Sequence, residues 1–102
     1  MDINYRLNNN TLFVNFNGEL DEHTSLETRR KLDELFNCSG FSQIVLDLTD
    51  LEFMDSTGIG VIIGRYKKMK DRNIPMFITN PSSHVERIFK MTGIYNLMPK
   101  IS

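Results

Sequence analysis

Ile44-Val45-Leu46-Asp47-Leu48-Thr49-Asp50-Leu51-Glu52-Phe53-Met54-Asp55-Ser56-Thr57-Gly58-Ile59-Gly60 carries a strand through a short loop into a helix. The first five residues are nearly all apolar, as suits a strand covered on both faces. Downstream, Ile59, Ile62, Ile63, Tyr66 and Met69 recur at helical spacing, which predicts a helix over about Ser56 to Asp71. Ser56 therefore stands at or near a helix N-terminus. Free N–H groups and the positive dipole end gather there, so a phosphate on Ser56 would be tolerated by the fold. Ser is also a favoured N-cap, although Asp55 or Thr57 can fill that role instead.

Similar units lie on either side. Ile3, Tyr5 and Leu7 alternate with polar residues, and an Asn-rich turn at Asn8 to Asn10 leads into Leu12, Val14 and Phe16, which predicts a β-hairpin. After Gly18-Glu19-Leu20-Asp21, Thr24 and Glu27 have capping-box spacing, and a helix runs from there to about Asn37 with Thr28, Leu32, Leu35 and Phe36 facing the core. Met76 to Thr79 reads as a strand, followed by a helix from Ser83 with Glu86 as capping-box partner. Val85, Ile88, Phe89 and Thr92 form its stripe, and Gly93 is its stop. Ile94 to Met98 reads as a short terminal strand before Pro99.

The order ββαβαβα, with that terminal strand, predicts an α/β domain with a mixed sheet, an N-terminal hairpin and parallel βα units. Right-handed crossovers bring the C-terminal ends of the parallel strands to one sheet edge. Three loops meet there, at residues 18–23, 50–57 and 80–83, and ligands or partners usually engage such an edge. Gly58, Gly60 and Gly64 each cost roughly 1 kcal/mol in a helix. The expected compensation is close packing, either of this helix on the sheet or of a partner on its first turn.

The 102 residues are 40% hydrophobic and 25% charged, within the range of one domain with one modest core. Twelve basic and 13 acidic residues leave a net charge of −1, which offers no long-range attraction to nucleic acid. Arg65, Lys67, Lys68, Lys70 and Arg72 form a basic run, read as a solvated helix end that complements the dipole. Cys38 is the only cysteine, which excludes an intramolecular disulfide and a cysteine-rich zinc site and fits a reducing compartment. There is no signal-peptide core at the N-terminus and no run long enough to span a bilayer, so a cytoplasmic protein is expected, with no membrane and no direct nucleic-acid partner.

Enzymatic readings lack parts. Met54-Asp55-Ser56-Thr57-Gly58 approaches the G-x-S-x-G elbow of serine hydrolases, but the first glycine is missing and His84 is the only later histidine. Asp55 alone does not supply the carboxylate pair of an aspartic protease. The glycines from Gly58 to Gly64 fit neither a dinucleotide fingerprint nor a P-loop, because Ile63 stands where a glycine belongs and Arg65-Tyr66 follows Gly64. His23 and His84 flank helix starts without partners at ligand spacing, so no metal site is expected.

The stretch Asp47 to Lys67 closely resembles the signature of STAS-domain anti-sigma factor antagonists, most of all those of the sporulation sigma-F pathway in endospore-forming bacteria. Gly18-Glu19-Leu20-Asp21 and Arg87-Ile88-Phe89-Lys90-Met91-Thr92-Gly93 resemble further family motifs in the expected order. The resemblance implies a non-enzymatic switch with Ser56 as phosphate acceptor. The unmodified form would bind an anti-sigma factor that is also a serine kinase and cause release of its sigma factor. That kinase would inactivate the switch, and a PP2C-type phosphatase would restore it; ATP and metal ions belong to those two partners, and the switch itself needs no cofactor. Asp21, Asp55, Thr57, Gly58, Ile59 and Ser82 are the expected docking residues. A related regulator of a stress-response or other sigma pathway is the alternative. Such family members generally continue into another C-terminal helix, whereas this chain stops at Ser102.

Overall fold

The computed structural model describes residues 1–101. In chain order the elements are β1 (Asp2–Asn8), β2 (Thr11–Leu20), α1 (Ser25–Phe36), β3 (Gln43–Asp47), β4 (Leu51–Met54), α2 (Ser56–Asp71), β5 (Met76–Thr79) and α3 (Ser83–Thr92), followed by a short 3₁₀ turn at Ile94–Asn96. They build a five-stranded mixed sheet in the order β1-β2-β3-β5, with β4 paired to β2 off that path. The β1–β2 hairpin is antiparallel and the other strand pairs are parallel. Asn9 and Asn10 both have positive φ, at 51° and 63°, as a two-residue turn matched to strand twist requires.

Strand alternation places Leu12, Val14 and Phe16 of β2 on one face, beside Ile44 and Leu46 of β3 and Met76 and Ile78 of β5. All buried apolar residues of the helices join this cluster: Leu32 and Phe36 from α1, Val61, Ile62 and Met69 from α2, and Val85 and Phe89 from α3. Val45 is also buried but outside the cluster, registered between Phe13 and Phe77. The apolar run of β3 is thus buried on both faces, on the second beside flanking strand residues. Arg6 adds to that face, with its guanidinium carbon 4.1 Å from the Phe13 ring centroid.

Four local readings change. The 50–57 segment, expected as a loop, holds β4, whose outward Glu52 and Phe53 between buried Leu51 and Met54 show no period-two signal. The expected strand from Ile94 to Met98 does not form: Ile94–Asn96 is a 3₁₀ turn, in which Asn96 N–H donates to the Gly93 carbonyl at 3.0 Å and Leu97 N–H to the Ile94 carbonyl at 2.9 Å, so these groups close on their own turn rather than on a strand. Strand-like pairing comes later: Ile101 N–H donates to the Ile78 carbonyl at 2.8 Å, and Ile78 N–H to the Pro99 carbonyl at 3.0 Å. Neither capping box forms. Thr24 Oγ1 donates to the Glu19 carbonyl at 2.8 Å, while Ser82, one residue before the expected start, caps α3 by accepting Val85 N–H at 3.3 Å. Glu86 instead accepts from Tyr95 Oη at 3.0 Å and Lys100 Nζ at 2.8 Å, fastening the chain end to α3. Gly93 stops α3 at φ 73°, in agreement with its sequence reading.

The basic run is solvated only in part. Lys67 and Lys70 are exposed, but Arg65 is buried against Asp33, Lys68 reaches the same carboxylate, and Arg72 donates to the Phe36 and Cys38 carbonyls. Three cations of five therefore join α2 to α1. Their side chains meet the Asp33 carboxylate and the carbonyls at the end of α1 and just past it, which helical dipole arguments alone do not anticipate.

Candidate functional site

β2 is ten residues long and changes partner along its length. Its first half lies beside β3; past Gly18, at φ 123°, the register shifts and Glu19 and Leu20 pair with Phe53 and Met54 of β4. Gly18 N–H donates to the Asp50 carbonyl at 3.1 Å, and Asp55 N–H to the Leu20 carbonyl at 3.3 Å. This pairing carries Asp21 and Ser56, 35 residues apart in sequence, to adjoining strand ends.

Asp55 connects the two loops. Its Oδ1 accepts Gly58 N–H at 3.0 Å, capping α2, and its Oδ2 accepts Glu22 N–H at 3.2 Å. Because Asp55 is the cap, Ser56 is the first residue within the helix, exposed to solvent. Among the described residues its hydroxyl has no hydrogen-bond partner, and the N–H groups of Ser56 and Thr57 meet no acceptor. An unengaged hydroxyl and two free donors thus share one exposed turn at the positive end of a dipole.

Asp21 organises the turn before α1. Its Oδ1 accepts His23 N–H at 2.9 Å and Thr24 N–H at 3.1 Å, while Asp21 N–H donates to Thr24 Oγ1 at 3.0 Å. Oδ2 takes no hydrogen bond among the described residues, so the carboxylate holds its loop with one oxygen and presents the other. Thr57 is exposed and Ile59 half-buried at the edge of the core. Gly58 is buried: a Cβ there would overlap the Leu20 carbonyl oxygen and stand 2.8 Å from Leu20 Cγ. Ser82 is half-buried and engaged as the α3 cap. The structure therefore brings Asp21, Asp55, Ser56, Thr57, Gly58 and Ile59 around the β2 and β4 ends, and sets Ser82 at the start of α3, an element packed against β4.

Sequence reading missed the aromatic flank. Phe53, 40% exposed, stacks on His84 with ring centroids 5.2 Å apart and planes 14° from parallel. The available signal was only an apolar residue two positions before Asp55, which a loop assignment left without a direction. Among the described residues no group of three His, Cys, Asp or Glu side chains is placed to hold a metal ion, and no helix is long and apolar enough to cross a membrane.

Residues 2–102 match the family model described as STAS domain. The chain is 41% identical over 88 residues to an anti-sigma F factor antagonist of Paenibacillus polymyxa, covering 86% of this chain and 75% of the relative. It is 31% identical over 98 residues to an anti-sigma-B factor antagonist of Bacillus subtilis, covering 96% of this chain and 88% of that protein. The fold is shared with the anti-sigma factor antagonist SpoIIAA. Its unphosphorylated form superposes with a TM-score of 0.80 at 24% identity, over 99% of this chain and 89% of that one; its phosphorylated form gives 0.74 over 99% and 92%. With the family model spanning almost the whole sequence and the relatives aligned from the hairpin through the helix that bears Ser56, the chain belongs to the STAS-domain family.

Proposed function

We propose that this protein is an anti-sigma factor antagonist switched by phosphorylation of Ser56. The observation that carries the reading is the division of labour at the start of α2: Asp55 supplies the cap, and the Ser56 hydroxyl is left exposed and unengaged. A structural serine at this position would be expected to cap. The names of the Paenibacillus polymyxa relative and of SpoIIAA, which was solved in both phosphorylation states, support the same reading.

In this mechanism the unmodified protein docks on an anti-sigma factor through Asp21, Asp55, Thr57 and Ile59, and the sigma factor is released. Gly58 and Ser82 position that surface, the first by close helix approach and the second by capping α3. The anti-sigma factor acts as serine kinase, drawing ATP and Mg²⁺ into its own site, and a PP2C-type phosphatase reverses the modification in the bacterial cytoplasm. The phosphate adds about −1.5 to −2 charges beside Asp55. The helix dipole and the free N–H groups of Ser56 and Thr57 accommodate it within the fold, so repulsion and bulk act chiefly on the docked partner.

The test is incubation with the anti-sigma F factor of Paenibacillus polymyxa and Mg-ATP, with the phosphate mapped by mass spectrometry. One phosphate on Ser56, absent from Ser56→Ala, is expected; an active kinase that leaves the chain unmodified would sink the proposal. Asp21→Asn is expected to weaken docking roughly tenfold, and full-strength binding would remove Asp21 from the surface. The likeness to an anti-sigma-B factor antagonist supports a second reading, service in a stress-response pathway. Preferential binding to an anti-sigma-B factor over an anti-sigma F factor would favour it.

A further inference from the structure

Strand β1 closes one end of the sheet, and among the described residues nothing pairs with its outer side. The opposite end is covered: Pro99 and Ile101 of the chain end bond to Ile78 of β5. Exposed edge strands in folded proteins are usually short, bulged, or interrupted by Pro or Lys. β1 has none of these protections. Asp2 to Asn8 pair with β2 through seven consecutive positions without a register shift, and the strand contains neither Pro nor Lys. Tyr5 and Leu7 on it are 65% and 54% exposed.

The two-residue turn at Asn9 and Asn10 makes Asn8 and Thr11 a hydrogen-bonded pair, so alternation directs the N–H and C=O groups of Asp2, Asn4, Arg6 and Asn8 at β2. Those of Ile3, Tyr5 and Leu7 point outward and meet no partner among the described residues. The side chains of these three share the helix-covered face, because they register with Phe16, Val14 and Leu12. Asp2, Asn4 and Arg6 stand on the opposite face, all exposed. There Arg6 lies over the Phe13 ring, but neither Asp2 nor Arg6 has an ion-pair partner among the described residues.

We infer that β1 is a self-association edge: it pairs antiparallel with β1 of a second copy of this chain, about a two-fold axis at Asn4. The charges select that register. Outward groups meet outward groups only where odd-numbered residues face odd-numbered ones, and among those registers only the one centred on Asn4 sets Asp2 opposite Arg6 of the second copy, twice by symmetry. Centring on Arg6 would bring the two guanidinium groups face to face, and centring on Tyr5 would set both charges opposite asparagines. About Asn4, Ile3 of one copy exchanges main-chain hydrogen bonds with Tyr5 of the other, and the two apolar rows meet on the helix-covered face. The axis stands perpendicular to the sheet, so the two β2–β4 ends point in opposite directions. A dimer therefore presents two exposed Ser56 turns to separate partners.

The test is sedimentation velocity of the purified chain up to about 1 mM, because an interface of one strand edge is small and weak. A mass that rises with concentration towards twice that of the chain is expected. Asp2→Arg should return it to monomer throughout, and Asp2→Arg combined with Arg6→Asp should restore the dimer. A wild type that stays monomeric, an Asp2→Arg protein that dimerises as wild type does, or a double variant with wild-type Tm that stays monomeric overturns the inference. Arg6→Asp also removes the stack on Phe13, so a second measurement avoids it. Cys38 is exposed beside β1 and is first replaced by Cys38→Ser. In that background Asn4→Cys should form an intermolecular disulfide on mild oxidation, because a non-hydrogen-bonded antiparallel pair holds its Cα atoms about 4.5 Å apart. Leu7→Cys, which would face Met1 of the second copy, should not. Crosslinking at Leu7 in preference to Asn4, or at neither, overturns the register and with it the inference. Association seen only after a different protein is added would make the edge a site for that protein, and the second-copy reading would fail.

Discussion

Within α2, Gly58 stands against Leu20 and Met54, whereas Gly60 and Gly64 face space in which an added Cβ meets no atom within 4 Å. The residue type is the same and the helix is the same. At Gly58 the missing side chain lets α2 approach β2, which sets the height at which Ser56 leaves the sheet edge. At Gly60 and Gly64 it leaves an open channel between α1 and α2. A glycine-rich helix therefore has two physical explanations within three turns, and only the neighbouring atoms separate them.

The sharpest way to break this comparison is Gly58→Ala. Its Cβ would overlap the Leu20 carbonyl, so a loss of roughly 2–3 kcal/mol is expected, lowering Tm by more than about 10 °C. A Tm near wild type in a calorimetric scan would show that the helix can retreat from β2 without penalty. Asp55→Ala comes next: it removes the cap on Gly58 and the tie to Glu22, with an expected loss of about 1–2 kcal/mol by denaturant titration. Asp55→Asn should retain much of that stability while weakening docking, which separates the structural from the recognition role.

Gly60→Ala and Gly64→Ala should move the other way, each stabilising by about 0.5–1 kcal/mol because helix propensity improves and no atom is displaced. Destabilisation of either would show that the channel is closed by packing in solution.

The smallest effect concerns the chain end, far from both glycine classes. Hydrogen bonds from Lys100 and then Tyr95 hold the Glu86 carboxyl below its usual pKa; burial first, and then Glu86, push Tyr95 up to about 12. A depressed acid stabilises above its unfolded pKa and loses that contribution as pH falls through the lower folded value. A raised phenol stabilises below its unfolded pKa, near 10, and loses it as pH rises toward the folded one. Hydrogen-exchange protection at Ile101 should therefore be flat at neutral pH and fall at both extremes. Glu86→Gln should remove the acid limb and weaken the alkaline one, of which the part due to burial of Tyr95 remains.

Much of this was legible because the signals are local. The alternating hairpin, the apolar run of β3, the helical spacing after Ser56 and the stop at Gly93 all depend on residues close in sequence, and a strand-loop-helix order is enough to place Asp21 beside Ser56. What was not legible depended on partners remote in sequence. β4 exists because the far half of β2 needs a neighbour, and its four residues carry no alternation of their own. Glu86 had capping-box spacing from Ser83 but is captured by Lys100, 14 residues on. Arg65 reads as one more cation at a helix end until Asp33 of α1 is seen beside it. Ser56 and Asp55 were both plausible caps, and only the Oδ1 contact to Gly58 N–H assigns the role.

The Asp55 bridge also bears on how fast the protein meets its partner. One carboxylate holds the turn before α1 and the turn before α2 together in the free protein, so little chain remains to be ordered on contact. Association should then be limited by orientation within the encounter rather than by loop closure, with an on-rate of about 10⁵–10⁷ M⁻¹s⁻¹ that varies little among surface variants. On the proposed reading, a phosphate on Ser56 would then act as a timer on residence, shortening the lifetime of the complex while the frequency of collision stays nearly constant.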